Sequence, residues 1–401
     1  MNYLTVLCTA LIALIPAAPV HARQADALTR TDPDAVLAEI EANNLELKAL
    51  SAEIEARGAD FLAASALADP EIEFAYLAGP SEIGPRRDFS VSQRLDFATL
   101  SGTRRSAATQ ENRLLALELR VARRDILTSA RRLLCEIIAR NALIAEYALR
   151  AERAGLIEQA YRKGLDKGEF SLLDYRKAAV ELAEAQGNLE RLEAERHSLL
   201  AELAALNGGK EIDITDTALC LQPLPATFDD WLTQAAERSS ALAYVRAASN
   251  LEETRLKLSR SENLPSLSVG YMSELVPGEE FRGVKVGISI PLWSSSRKIA
   301  GARKQLEAAR ISENRAVTQF RVRAQSLYDN ARRLRQAADR FDTLSTMEDT
   351  RRDLEKALSA GGISLLDYLS ELSFFYKTLE LAIDTEKQYS LAVADLLALE
   401  M

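Results

Sequence analysis

Histidine and cysteine are the scarcest reactive groups in this chain. Two histidines and three cysteines occur among 401 residues, and His21 and Cys8 fall in the first 22 of them. His197, Cys135 and Cys220 then stand far apart in sequence. That excludes a histidine–cysteine metal cluster and a disulfide framework, and both later cysteines are expected as buried free thiols. No serine–histidine–aspartate set, phosphate-binding glycine loop or role-bearing carboxylate pair is present, so no catalytic residue, metal ligand or cofactor is assigned and an enzyme is not expected. Proline is sparse, at 11 residues, and aromatics make up 6%; with abundant Ala, Leu, Glu and Arg this is a helical composition. The 50 basic and 59 acidic residues leave a net charge of -9 with no basic block, which argues against nucleic acid as a partner. After Ala22 no long apolar run occurs, so no transmembrane helix is expected beyond that point.

What is present begins with LTVLCTALIALIPAAPV followed by VHA, ending at Ala22. This has the length and closing small residues of a signal peptide over 1–22, although MNY supplies no basic residue. The segment is short for a membrane anchor and holds Pro16 and Pro19.

Long helical runs follow. The stretch from Asp32 to Ala64 reads as one helix, with Asp32 as cap and Pro33 in the first turn. A proline-free run from Ser101 to about Leu165 predicts a rod of about 90 Å. From Ser171 to Leu206, Tyr175, Leu182, Leu189 and Leu203 follow heptad spacing, broken by Arg196, beside a second series of Leu192, Leu199 and Leu206. NGGK at 207–210 ends that run. A linker over 207–227 carries Pro223 and Pro225. The pattern then restarts: one helix from Phe228 to Asn263, a second very long run from Ser296 to about Ala357, and a third from Ser364 onward. The sequence SLLDY occurs twice after a glycine-bearing bend, in KGEFSLLDY (Lys167–Tyr175) and AGGISLLDY (Ala360–Tyr368). With the matching order of runs, this marks an internal duplication, with repeats at 23–206 and 228–401 joined by 207–227.

Each repeat holds a pair of alternating strands, at 70–96 and 265–292. Ile72, Phe74, Tyr76, Phe89, Val91, Leu267, Val269, Tyr271, Val284, Val286, Ile288 and Ile290 fall on one side. Glu71, Glu73, Ser90, Ser92, Arg94, Ser266, Ser268 and Lys285 fall on the other, and loops of about ten residues join each pair. Two ordinary hairpins packed on a core are one reading. Four strands leave edges open, however, and three subunits would supply twelve, enough to close a barrel with its apolar side toward lipid and its polar side lining water.

With these features the chain resembles the TolC-like outer membrane factors, the outer-membrane channels of tripartite efflux systems. The marks are the duplicated helix–hairpin–long-helix order, NNLELKAL at 43–50, YRKGLDKGEFSLLDY at 161–175, and PLWSSSRKIAGARKQLEAA from Pro291. The resemblance covers nearly all of the chain after Ala22. The heavy-metal cation efflux channels of that family are similar in size. The fold implied is mainly α with a small β portion: a homotrimer with a periplasmic α-barrel and a 12-stranded outer-membrane β-barrel, four strands per subunit. The linker at 207–227 would lie near an equatorial region. The partners implied are outer-membrane lipid, a periplasmic adaptor and an inner-membrane transporter. The cargo, heavy-metal cations or drugs, would pass through a passive conduit in the outer membrane of a Gram-negative bacterium.

The glycine turns, with tips near 164–171 and 358–364, would then be the periplasmic ends where the adaptor docks. Candidates there are Tyr161, Arg162, Gly164, Leu165, Gly168, Ser171, Leu172 and Leu173 in the first copy. The second offers Leu358, Gly361, Gly362, Ser364, Leu365 and Leu366. Glycine relieves the turn and serine caps the next helix, while repeated exposed leucines fit a partner surface. Asp174 and Asp367 would form a gate or cation ring of six carboxylates in a trimer. An exported coiled-coil structural or adhesion protein, and the periplasmic adaptor itself, are the alternatives. The first leaves the alternating hairpins unexplained. The second typically has one helical hairpin with more strands.

Overall fold

A computed structural model of the chain describes residues 32–82, 84–291, 295–341, 347–360 and 362–401. The expected signal peptide at 1–22 and Gly361 lie outside the described residues. The fold is mostly helical with one small antiparallel sheet.

Asp32 opens α1 (Pro33–Asn43) by accepting the Asp34 N–H, with Pro33 in the first turn. The helix then breaks at Asn44, where the backbone leaves the helical region (ψ 121°). The Asn44 side chain caps α2 (Leu45–Ala64) by accepting the Leu47 N–H at 2.9 Å. The second half breaks likewise at Ser239 (ψ 115°), between α6 (Phe228–Arg238) and α7 (Ser240–Glu262). Each of the two single helices expected from sequence is therefore two. Short polar side chains compete with helical hydrogen bonds, and here tertiary partners take up the freed groups. Asn44 Nδ2 donates to Leu206 O at 2.9 Å, and the Ser240 N–H donates to Met401 O at 3.3 Å.

A one-turn helix α3 (Phe97–Leu100) precedes α4 (Thr103–Lys167), whose 65 residues make a rod of roughly 100 Å. It pairs with α5 (Leu172–Leu206). In the second half α8 (Ser295–Ala338) ends in a 3₁₀ turn over 339–341, and α9 (Met347–Ser359) and α10 (Leu365–Leu397) follow. The unbroken run expected to Ala357 thus stops at Ala338. The sequence FDTLST that follows Arg340 is rich in residues of low helix propensity. Among the described residues no helix is long and apolar enough to cross a membrane.

One core lies where α1, α4, the end of α5 and the linker meet, around Val36, Ile40, Ile137, Leu203 and Ile214. Arg196, the break in the heptad series, turns out to anchor that linker. Its Nε donates to Asn141 Oδ1 at 2.6 Å and its guanidinium reaches Asp213 at 3.1 Å and Ile214 O at 3.1 Å. Asn141 Nδ2 in turn donates to the carbonyls of Ile214 and Asp216. A leucine there would continue the coiled coil but would remove the guanidinium bonds to Asn141, Asp213 and Ile214 O that tie the linker to α5.

The strands β1 (Glu71–Leu77), β2 (Arg86–Leu95), β3 (Ser266–Val276) and β4 (Glu279–Ser289) form one sheet in the order β1-β2-β3-β4. The β2–β3 ladder joins the two halves of the chain. The second loop is shorter than the expected ten residues: β3 and β4 run on to a turn at Pro277 and Gly278, where Gly278 adopts φ 89°.

Candidate functional site

Two regions carry the candidate residues: the sheet at one end of the long helices and the hairpin tips at the other. In the sheet, register decides which side chains share a face. Ile72, Val91, Tyr271 and Val284 stand in one row across all four strands. Phe74 faces Phe89, Val269 faces Val286, and Leu267 faces both Leu95 and Ile288. All twelve sequence-assigned residues except Val91, which is half-buried, are exposed in the chain, up to 75% for Val284. Toward the turns the same face becomes mixed: Arg282 pairs bidentately with Glu280, and Arg87 lies over the Tyr76 ring. The opposite face carries Glu71, Ser92, Gly270 and Lys285 in one row. A Cβ on Gly270 would stand 2.4 Å from Val91 O, so that position takes no side chain without moving the ladder. Among the described residues β1 and β4 each have one strand partner, which leaves two open edges.

At the first tip the helix ends in a Schellman closure. The Glu169 N–H donates to Gly164 O at 2.8 Å and the Gly168 N–H to Leu165 O at 3.0 Å, with Gly168 at φ 76°. At the second tip, where α9 ends, the Gly362 N–H donates to Ala357 O at 2.8 Å, the counterpart of the Glu169–Gly164 bond. Gly361 lies outside the described residues. Ser171 and Ser364 then cap α5 and α10 with the same geometry. Each Oγ accepts the N–H of Asp174 or Asp367 at 3.1 Å and donates to that aspartate's Oδ2 at 2.6 Å. The two aspartates assigned to a gate ring are thus each fastened within their own helix cap.

The two copies of SLLDY differ in surroundings. Leu172 is 50% exposed, whereas its counterpart Leu365 is 4% exposed and Tyr368 is fully enclosed. Leu365 and Tyr368 pack with Leu372, Tyr376 and Ala178, and with Ile157 and Tyr161 of α4. The second hairpin therefore leans on the first, and the expected row of exposed tip leucines is corrected for Leu365. Leu173 and Leu366 are exposed, as are Arg162 and Gly168, while Leu165 and Leu358 are half-buried. Gly164 is buried under Phe170, which stacks on Tyr161 at 4.3 Å. A groove of about 690 Å³ beside them, between α4 and α9, is lined by Leu149, Leu156, Ile157, Tyr161, Phe170 and Leu358.

Sequence reasoning did not find the polar cluster above the tips. Arg150 of α4 is buried, bonds Glu181 of α5 at 2.8 Å, approaches Glu184 at 3.5 Å, and lies 4.7 Å from the Tyr376 ring of α10. Tyr147 donates to Glu380 of α10. Burial pushes the Tyr147 hydroxyl up to about 12, helped by its bond to Glu380. Burial opposes the Arg150 charge, but Glu181, Tyr147 and Glu184 outweigh it and raise its pKa. The available signal was an arginine one helical turn after a tyrosine on an otherwise ordinary charged helix.

Of the two cysteines expected as buried thiols, Cys135 is half-buried and Cys220 is exposed; the irregular linker carries the latter outward. Both line one cavity with Asp216 and Ser390. Among the described residues no three histidine, cysteine or carboxylate side chains converge as metal ligands.

No family model and no curated protein matches the chain. Solved structures do. A membrane protein from Pseudomonas aeruginosa matches with a TM-score of 0.78 at 13% identity, over 93% of each chain. The CmeC outer membrane channel of Campylobacter jejuni matches with a TM-score of 0.76 at 13% identity, over 92% of this chain and 85% of that one. The outer membrane protein VceC of Vibrio cholerae matches with a TM-score of 0.72 at 14% identity, over 92% and 96%. The chain has the fold of these three proteins, of which CmeC is an outer membrane channel.

Proposed function

We propose that this chain is one subunit of a homotrimeric, TolC-like outer-membrane channel that serves a tripartite efflux system. The observation that carries the reading is the four-stranded sheet. It has an exposed apolar face, a polar opposite face and two open edges, and it sits at the end of helices far too long to cover it. Three copies joined edge to edge would close a 12-stranded barrel with Ile72, Phe74, Val284 and Ile288 toward lipid. The α-helical part would extend into the periplasm, and the tips would receive an adaptor that links the channel to an inner-membrane transporter. In this reading the channel is a passive conduit with no catalysis of its own. The pump selects the cargo, heavy-metal cations or drugs, and Asp174 and Asp367 bring six carboxylates to the periplasmic entrance. The likeness in fold to the CmeC outer membrane channel and the outer membrane protein VceC supports this.

The test is to extract the protein from membranes with detergent and compare heated and unheated samples after crosslinking. A trimer that collapses to monomer only on heating, and that conducts in planar bilayers, is the expected result. A soluble periplasmic monomer overturns the reading.

A further inference from the structure

Helix starts in this chain mostly obey the dipole. Asp34, Glu46, Asp174, Asp229 and Asp367 stand in the first turns of α1, α2, α5, α6 and α10. The two long helices that leave the sheet do the reverse. The first turns of α4 and α8 hold no acid and open with Arg104–Arg105 and Arg297–Lys298. Cations there face the positive end of the dipole, an unfavourable placement that calls for a compensating anion. The placement is no accident of one helix. The interval from Arg104 to Arg297 equals that from Ser171 to Ser364, so both copies of the repeat carry it.

Arg104 finds its anions inside the chain, at Asp96 (3.5 Å) and Glu262 (3.1 Å). Arg105, Arg297, Lys298 and Arg303 are exposed, and none has an ion-pair partner among the described residues. Although the whole chain is acidic, α8 is dominated by arginine and lysine, with Glu307, Glu313 and Asp329 as its acids. Location narrows the choice of anion. These cations follow the ends of β2 and β4, where the apolar sheet face finishes at Leu95, Leu267 and Ile288. Between β2 and Arg105 lies α3, with Phe97 49% and Leu100 64% exposed. An apolar wall, then an aromatic and an aliphatic side chain, then cations is the order of a membrane boundary.

We propose that Arg105, Arg297, Lys298 and Arg303 form a basic collar that binds the phosphate headgroups of anionic phospholipid in the periplasm-facing leaflet. The proposal rests on the sheet being the lipid-facing part of a channel. The phosphates would neutralise Arg105, Arg297 and Lys298, which the helix dipoles disfavour, together with Arg303 further along α8, and would fix how deep the sheet sits.

The experiment uses the full-length protein in bilayer nanodiscs of phosphatidylcholine alone or mixed with phosphatidylglycerol. The temperature of trimer dissociation is read on gels, with conductance in phosphatidylcholine as the check on insertion. Wild type is expected to gain about 5 °C from phosphatidylglycerol at low salt and to lose the gain at high salt. The variant Arg105→Gln/Arg297→Gln/Lys298→Gln/Arg303→Gln is expected to match wild type in phosphatidylcholine and to gain little. A variant with the three arginines changed to lysine should keep the gain. Conduction with no lipid-dependent gain in wild type, or with an equal gain in the glutamine variant, overturns the collar alone. A glutamine variant that dissociates already in phosphatidylcholine also overturns it, because the cations then serve a neighbouring subunit. Failure of wild type to insert and conduct removes the channel reading and the collar with it.

Discussion

The ring of Phe170 lies across Gly164 so closely that a methyl group added at Gly164 would stand 2.2 Å from Cδ2. Phe170 also stacks on Tyr161, so one aromatic closes the first tip over its own helix end. Gly164→Ala must push that ring outward and is expected to cost about 1–3 kcal/mol, the usual range for overpacking. Phe170→Ala should suppress most of the cost. Thermal unfolding of the two single variants and the double variant reads the coupling, and additive losses would show that the contact does not hold the tip.

Ser171 and Ser364 cap their helices with the same bonds, so Ser171→Ala and Ser364→Ala should each cost about 1 kcal/mol. Their partners test the entrance. Asp174→Asn/Asp367→Asn keeps a side chain of the same shape and removes the proposed carboxylate ring. Its reversal potential in a salt gradient should shift toward lower cation preference. An unchanged potential would leave the aspartates as capping residues alone.

Periodicity carried the long rods and the paired strands, because both depend on local spacing that the sequence states directly. The faces of the sheet were legible for the same reason: alternation fixed the sides of Ile72, Ser90 and Val284 before any pairing was known. Pairing itself was not legible. The β2–β3 ladder joins Val91 to Tyr271 across the whole first helical hairpin, and no local signal encodes that. The breaks at Asn44 and Ser239 were written only as NN and SS within helical stretches; partners at Leu206 and Met401 decide them. The unequal burial of Leu172 and Leu365 was hidden in the same way, since five identical residues sit against different neighbours.

Cys220 is exposed on the linker, whereas burial pushes the Cys135 thiol up to about 11. At pH 8 about one Cys135 in a thousand is a thiolate, and the thiolate is the form that alkylates. A maleimide should therefore modify Cys220 first in the native protein and reach Cys135 after denaturation. Mass mapping of the labelled peptides checks this. Equal native labelling of both cysteines would mean that the linker does not cover α4 as described.

Arg150 ties three helices together, which makes it the sharpest stability test in the lower part of the molecule. Arg150→Met keeps the stem but leaves Glu181, 18% exposed, without its counter-ion. Breaking a buried pair in this way costs about 3 kcal/mol or more, and protease should then cut nearer the tips. Tyr147 adds a pH signature. Its hydroxyl titrates near 12 in the folded chain, above the value of about 10 for an unperturbed tyrosine. The folded state therefore favours the neutral, donating form. Its contribution is complete below about pH 10 and is lost as pH rises toward 12. Tyr147→Phe should remove that loss while leaving the Arg150–Glu181 pair in place. Unfolding midpoints between pH 8 and 12 for wild type and Tyr147→Phe make the comparison. Parallel curves would show that the bond to Glu380 does not fasten the second hairpin to the first.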